Sequence, residues 1–158
     1  MSTYPRSIEG ETAASGARIA IVAAWFNAVV VDKLVSGALE TLHAQGVRDE
    51  SLTLVRVPGA FEIPLAVKKL ADSGQYVAVI ALGAVIRGET PHFDFVAGEC
   101  ARGISQVALD SGVPVAFGVL TCDTLEQALA RAGGSAGNKG ADAALAALQM
   151  ASVLRKLG

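Results

Sequence analysis

Two cysteines, two histidines, five phenylalanines, two tyrosines and one tryptophan are all that this chain of 158 residues holds of those types. Cys100 and Cys122 form neither a CxxC pair nor a metal-ligand spacing. That excludes a disulfide scaffold and a zinc module, and reads both as reduced, mostly buried thiols of a cytoplasmic protein. Apolar runs are short as well. Gly83 and then Arg87 close the longest one before the ~20 residues that a membrane-spanning helix needs. Residues 1–16 are polar and lack the basic-then-apolar order of a targeting peptide. Positive charge is not clustered: Lys and Arg number 13 against 15 Asp and Glu, for a net charge of −2. That balance argues against nucleic acid or an anionic membrane surface as the main partner, and leaves small molecules and other protein chains.

Alanine, glycine, valine and leucine are abundant, and a hydrophobic fraction of 52% is ample for a single core. The expected organisation is an N-terminal arm over residues 1–16 and one domain over 17–158. Residues 18–24 (RIAIVAA) form an unbroken apolar run, as a parallel strand buried on both faces does. Beyond it, Val30, Leu34, Ala38 and Leu42 recur at helical spacing up to a stop at Gly46. Residues 52–57 (LTLVRV) predict a second strand, ended by Pro58-Gly59, and 63–71 a short helix with Glu62 near its start. Residues 76–84 predict the third and most central strand, and a helix follows from about 94 to 111. A fourth strand over 115–120 precedes a fourth helix over 124–132, with Thr124 as its N-cap. A glycine-rich loop at 133–140 leads to an alanine-rich helix over 140–157.

Strands alternating with helices predict an α/β fold, a three-layer doubly wound domain with a four-stranded parallel sheet flanked by helices. Ligands of such domains bind beyond the carboxyl ends of the strands. That rule gathers residues 25–27, 59–62, 84–92 and the end of the fourth strand around Phe117 into one rim. His92 is the only histidine there, since His43 falls near a helix C-terminus, where it complements the helix dipole. Among polar neighbours between a turn and a helix start, His92 reads equally as a proton carrier and as a structural imidazole. Gly88, Glu89 and Thr90 read as an anion-binding turn or as an ordinary strand-to-helix turn. Arg131 could reach a phosphate, but taken alone it reads first as dipole compensation at the C-terminus of its own helix. Phe26 and Phe117, placed at strand ends, are candidates to clamp a flat heterocycle. The segment GGSAGNKG at 133–140 resembles a P-loop only in composition. It follows a helix, and Gly140 stands where Ser or Thr should bind magnesium.

Taken together, WFN at 25–27, VPGAFEIP at 57–64, ALGAVIRGETPHFDFV at 81–96, GVPVAFGVLT at 112–121 and RAGGSAGNKGADAA at 131–144 make the chain similar to the lumazine synthases of riboflavin biosynthesis. The resemblance covers nearly all of the chain beyond the arm. It departs at Trp25, where the family often has arginine before the Phe-Asn pair. The resemblance implies condensation of 5-amino-6-(D-ribitylamino)uracil with 3,4-dihydroxy-2-butanone 4-phosphate, without cofactor or metal. It implies Phe26 stacking on the pyrimidine, and Ala60, Phe61 and Glu62 at the ribityl chain. Ala84, Val85 and Ile86 would meet the pyrimidine edge through their backbone. Glu89 and Thr90 with Arg131 would receive the phosphate, His92 would carry protons, and Lys139 with Asp142 would form a supporting charged pair.

Phe117 and Arg131 are then expected from an adjacent subunit, because the family assembles as pentamers and in some members as icosahedral shells. The short loop between Arg131 and Asn138 favours the shell, the polar arm would lie on a neighbour as an extra strand, and a riboflavin synthase is a further partner that the resemblance allows. Two other readings share the architecture: a non-catalytic flavin- or lumazine-binding relative, and a flavodoxin-like binding module. Retention of His92, Arg131 and Lys139 counts against the first, and the lack of an acidic cluster after the first strand against a phospho-receiver.

Overall fold

Every strand that must be buried on both faces alternates two sets of small or branched apolar residues, and those sets build two cores. The computed structural model describes residues 5–158. Its sheet has four parallel strands, β1 (Ile19–Ala24), β2 (Leu52–Val57), β3 (Ala78–Ile86) and β4 (Val115–Cys122), in the order β2-β1-β3-β4. Ile19, Ile21 and Ala23 of β1, with Ile80 and Leu82 of β3, face α1 (Ala28–Ala44) and α5 (Lys139–Leu157). Ala20, Val22 and Ala24, with Val79 and Ala81, face α2 (Ile63–Asp72) and α3 (His92–Ser111). The three-layer α/β domain expected from the alternation is therefore the one observed. Both β1 and β3 are interior, whereas β2 and β4 are edges.

Small residues set the spacing of the α1–α5 layer. A Cβ on Gly140 would collide with the Leu34 carbonyl, and one on Gly37 with the Asn138 side chain. Between β4 and α5 the chain forms α4 (Leu125–Ala130) and a small antiparallel hairpin, β5 (Ala132–Gly134) and β6 (Gly137–Asn138). Thr124 does cap α4, its side chain accepting from the Gln127 N–H at 3.1 Å.

Several boundaries differ from the sequence reading, among them the end of β4, which reaches Cys122 and not residue 120. Strand β3 runs two residues further, because Val85 and Ile86 stay paired with Thr121 and Cys122 of β4. Helix α3 begins at His92 rather than near 94, helix α4 stops at Ala130, and the expected loop at 133–140 contains the hairpin and the start of α5. Gly133 and Gly137 make that hairpin possible, with φ of 100° and 84°.

The first four residues of the expected arm lie outside the described chain. Residues 9–11 lie along the chain's own α5, and Thr12 and Ala14 bond to Gln45 at the end of α1. The Glu11 N–H donates to Ser152 Oγ at 3.1 Å, and Lys156 Nζ donates to the Glu9 carbonyl at 2.7 Å and Glu11 Oε1 at 3.0 Å. No described helix is long and apolar enough to cross a membrane.

Candidate functional site

The sheet opens at its carboxyl end because its interior strands stop at different levels. Pairing of β1 with β3 ends at Ala23–Leu82, while β3 stays paired with β4 as far as Ile86–Cys122. The last residues of β3 thus keep a free edge on the side that β1 vacates. Beyond that edge lies a cleft of about 600 Å³, lined by Phe26, Asn27, Gly59, Ala60, Phe61, Glu62, Ala84, Val85, Ile86, His92, Phe95 and Val96. The structure therefore brings together eight of the sequence candidates, Phe26, Ala60, Phe61, Glu62, Ala84, Val85, Ile86 and His92.

Backbone bonds hold the cleft's β1 wall. The Trp25 N–H donates to the Val57 carbonyl at 2.8 Å and the Phe26 N–H to Pro58 at 3.0 Å, so β2 keeps hold of the chain after β1 ends. Asn27 then turns the chain into α1 from the left-handed region, at φ 62° and ψ 42°. Asparagine adopts that region more readily than other residues with a side chain. Its Nδ2 donates to the Ala84 carbonyl at 2.7 Å, which ties β1 to the free edge of β3. Gly59 is a glycine because of Phe26: a Cβ there would stand 2.7 Å from the ring's Cδ2. Phe26, Phe61 and Phe95 remain 67%, 57% and 68% exposed, so their rings are not core packing within one chain.

His92 is the first residue of α3 and exposed at the lip of the cleft, its N–H donating to Thr90 Oγ1 at 3.4 Å. Glu89 and Thr90 lie in the exposed loop before it and are not in the lining of the cleft. Arg87 braces that loop. Its backbone N–H continues the ladder to the Cys122 carbonyl at 2.8 Å, and its guanidinium reaches Asp123 at 2.9 Å and Asp94 at 3.6 Å while lying 4.4 Å from the Phe93 ring centre.

Phe117, Arg131 and Lys139 are not in this cleft. They line a second hollow of about 230 Å³ with Thr121 and Cys122, along the open edge of β4. The expectation that Phe117 lies on the rim fails, because β4 extends to Cys122 and Phe117 pairs level with Ala81 in mid-sheet. Arg131 stands just past α4, its Nη1 donating to the Gln127 carbonyl at 3.0 Å. Lys139 Nζ is 3.5 Å from Asp142 Oδ2, so that charged pair exists as expected.

Sequence reasoning placed Asn27 on the rim without a role of its own, and passed over Phe95, Val96 and Arg56. Phe95 and Val96 lie three and four residues after His92, the helical spacing that returns a side chain to the same face. Arg56 lies 4.5 Å from the Trp25 ring centre and donates to Asp32 Oδ1 at 2.8 Å, and no local pattern announces a contact between β2 and α1. His43 sits in the last turn of α1, and its Nε2 is 2.6 Å from Asp49 Oδ1. Burial pushes the Cys100 thiol up to about 12. The Cys122 thiol is raised too, chiefly by burial, against a lowering by Arg131. Among the described residues, no group of three His, Cys, Asp or Glu side chains is placed to hold a metal ion.

The model of one protein family matches residues 16–155, a span that takes in the whole sheet, its helices and the lining of both hollows. The chain belongs to the 6,7-dimethyl-8-ribityllumazine synthase family.

Proposed function

We propose that the chain is the transferase its family implies, and that it condenses 5-amino-6-(D-ribitylamino)uracil with 3,4-dihydroxy-2-butanone 4-phosphate, releasing phosphate and water. The observation that carries this reading is the aromatic-walled cleft at the free edge of β3 with His92 at its lip. Phe26 offers a ring face to the pyrimidine. In a strand, backbone groups alternate between its two edges, and Arg87 N–H points to β4. Ile86 therefore presents its N–H and C=O to the cleft side, where a pyrimidine edge can pair with them. Ala60, Phe61 and Glu62 take the ribityl chain, with the Glu62 carboxylate accepting from hydroxyls.

The amine of one substrate attacks the ketone of the other, water leaves, and an imine results without an enzyme nucleophile. Loss of phosphate then needs a proton taken from carbon and a fixed anion site. Glu89 and Thr90 with Arg131 form that site, with Lys139 and Asp142 beside it. An imidazole, whose ordinary pKa is ~6.5, serves both that proton transfer and those of ring closure. Aligning two substrates is worth up to ~7–11 kcal/mol when their geometry is ideal, so much of the acceleration comes from placement and His92 refines it.

Because the Phe26 cleft and the Arg131 hollow are separate in one chain, the complete site forms between copies, Phe117 and Arg131 arriving from a neighbour in a pentamer. The tight hairpin at β5–β6 favours pentamers gathered into a shell, and light scattering that reports a mass near five subunits would reverse that part alone. Purified protein incubated with both substrates is expected to develop lumazine fluorescence. Binding of the pyrimidine with no fluorescence in the presence of both substrates would overturn the reading in favour of a flavin- or lumazine-binding relative.

A further inference from the structure

The segment around Asn138, set aside as a failed P-loop, has a structural employment of its own. Asn138 closes β6 and precedes α5. Its Oδ1 accepts from the N–H groups of Gly140 at 2.8 Å and Ala141 at 3.1 Å, which caps α5. Its Nδ2 donates in the other direction, to the Lys33 carbonyl of α1 at 3.0 Å, across 105 positions of sequence. Two glycines clear its seat. Gly37 leaves the space that the Asn138 amide occupies, and Gly140 lets α5 begin against the Leu34 carbonyl.

The two cations of the second hollow flank this seat. Lys139 is the next residue, and its N–H donates to the Arg131 carbonyl at 2.9 Å, which joins the two backbones across the hairpin. Ala132, the neighbour of Arg131, pairs with Asn138 itself. A displacement of Asn138 from α1 therefore moves Arg131 and Lys139 together. We infer that Asn138, seated over Gly37, is the positioning residue that holds Arg131 and Lys139 at the spacing a phosphate monoester requires. A cap alone needs only the side-chain oxygen, so the Nδ2 bond to α1 is the part that does the positioning. This inference rests on the proposed phosphate role of Arg131.

The test compares Asn138→Ser, which keeps a capping oxygen and loses the donor to Lys33, with Gly37→Ala, which crowds Asn138 from its seat without altering it. Inorganic phosphate affinity is measured on the assembled protein beside the native chain and Arg131→Ala. Both variants are expected to bind phosphate about 10-fold more weakly, approaching Arg131→Ala, and to raise KM for the phosphate-bearing substrate with that for the pyrimidine unchanged. A role in folding alone would lower Tm and leave phosphate affinity and both KM values as they are, and that result overturns the inference. Phosphate binding by the native chain without lumazine formation would sink the proposed reaction and leave the positioning role standing. A native chain that binds no phosphate, or an Arg131→Ala variant that binds it undiminished, would remove both the phosphate role and the inference.

Discussion

The two hollows of this chain are built on opposite principles. One arises where β1 stops and β3 continues, has a volume of about 600 Å³, and is walled by phenylalanine rings with one histidine at its lip. The other, about 230 Å³, arises where β4 has no neighbouring strand on its outer side among the described residues, and contains Arg131 and Lys139. A strand that ends leaves free backbone groups and apolar walls, which suit a flat heterocycle. An open edge, bordered by a hairpin, leaves room for long cationic side chains, which suit an anion. Each is half of what the proposed condensation needs, and under that proposal a chain that holds its halves apart gains a complete site by association.

That contrast breaks or sharpens at specific residues. His92→Ala should lower kcat by about 10²-fold, the lower end of general acid–base effects, with binding of both substrates intact in single-turnover kinetics. Loss of binding instead would make His92 a wall of the cleft. Arg131→Ala should weaken the phosphate-bearing substrate by about 10–100-fold, the scale of a lost charge-assisted hydrogen bond, and leave the pyrimidine alone. Unchanged binding of the phosphate substrate removes the anion role from the second hollow. Phe26→Ala should cost the pyrimidine about 10-fold, in line with the stacking of a base on a ring. Mixing unfolded Phe26→Ala and Arg131→Ala chains and refolding them together should then restore about a quarter of the native sites, if each site draws on two copies. A mixture no more active than its parents would place both residues in one chain's site.

The smallest effect concerns the thiol on the buried face of α3. Because burial holds Cys100 protonated up to about 12, it should resist alkylation at pH 8 in the folded protein. The unfolded thiol ionises near 9.0, so unfolding releases a proton between those values and stability should fall as pH rises through that window. Thermal melts of the native chain and Cys100→Ala across that range would reveal whether the slope belongs to this group.

Much of the fold was legible because local pattern and burial agree. Residues 52–57 carry β-branched residues between turn signals, and strand β2 has those bounds. Pattern failed where a distant partner decides. Val85 and Ile86 sit beside Arg87 and look like the start of a loop, yet pairing with Thr121 and Cys122 keeps them in β3. The same extension of β4 moved Phe117 off the rim. The site was legible in its lining residues, since Phe26, Glu62 and His92 follow strand ends that sequence could place. The left-handed turn and Ala84 bond of Asn27, and the role of Arg56, were not, because such a turn and a contact from strand to helix leave no periodic trace.

The left-handed turn at Asn27 has a bearing on the thermodynamics of capture. Phe26 is mostly exposed and little packed, but its own N–H is tied to Pro58, and its neighbours Trp25 and Asn27 are tied to Val57 of β2 and Ala84 of β3. A non-glycine residue in that backbone region stores about 1–3 kcal/mol, met once when the chain folds. The ring is thereby presented on a fixed backbone with two side-chain torsions left to settle, and no loop has to order around an arriving heterocycle. Under the proposed function, much of the selectivity for a flat ligand is in this way written into the unliganded chain.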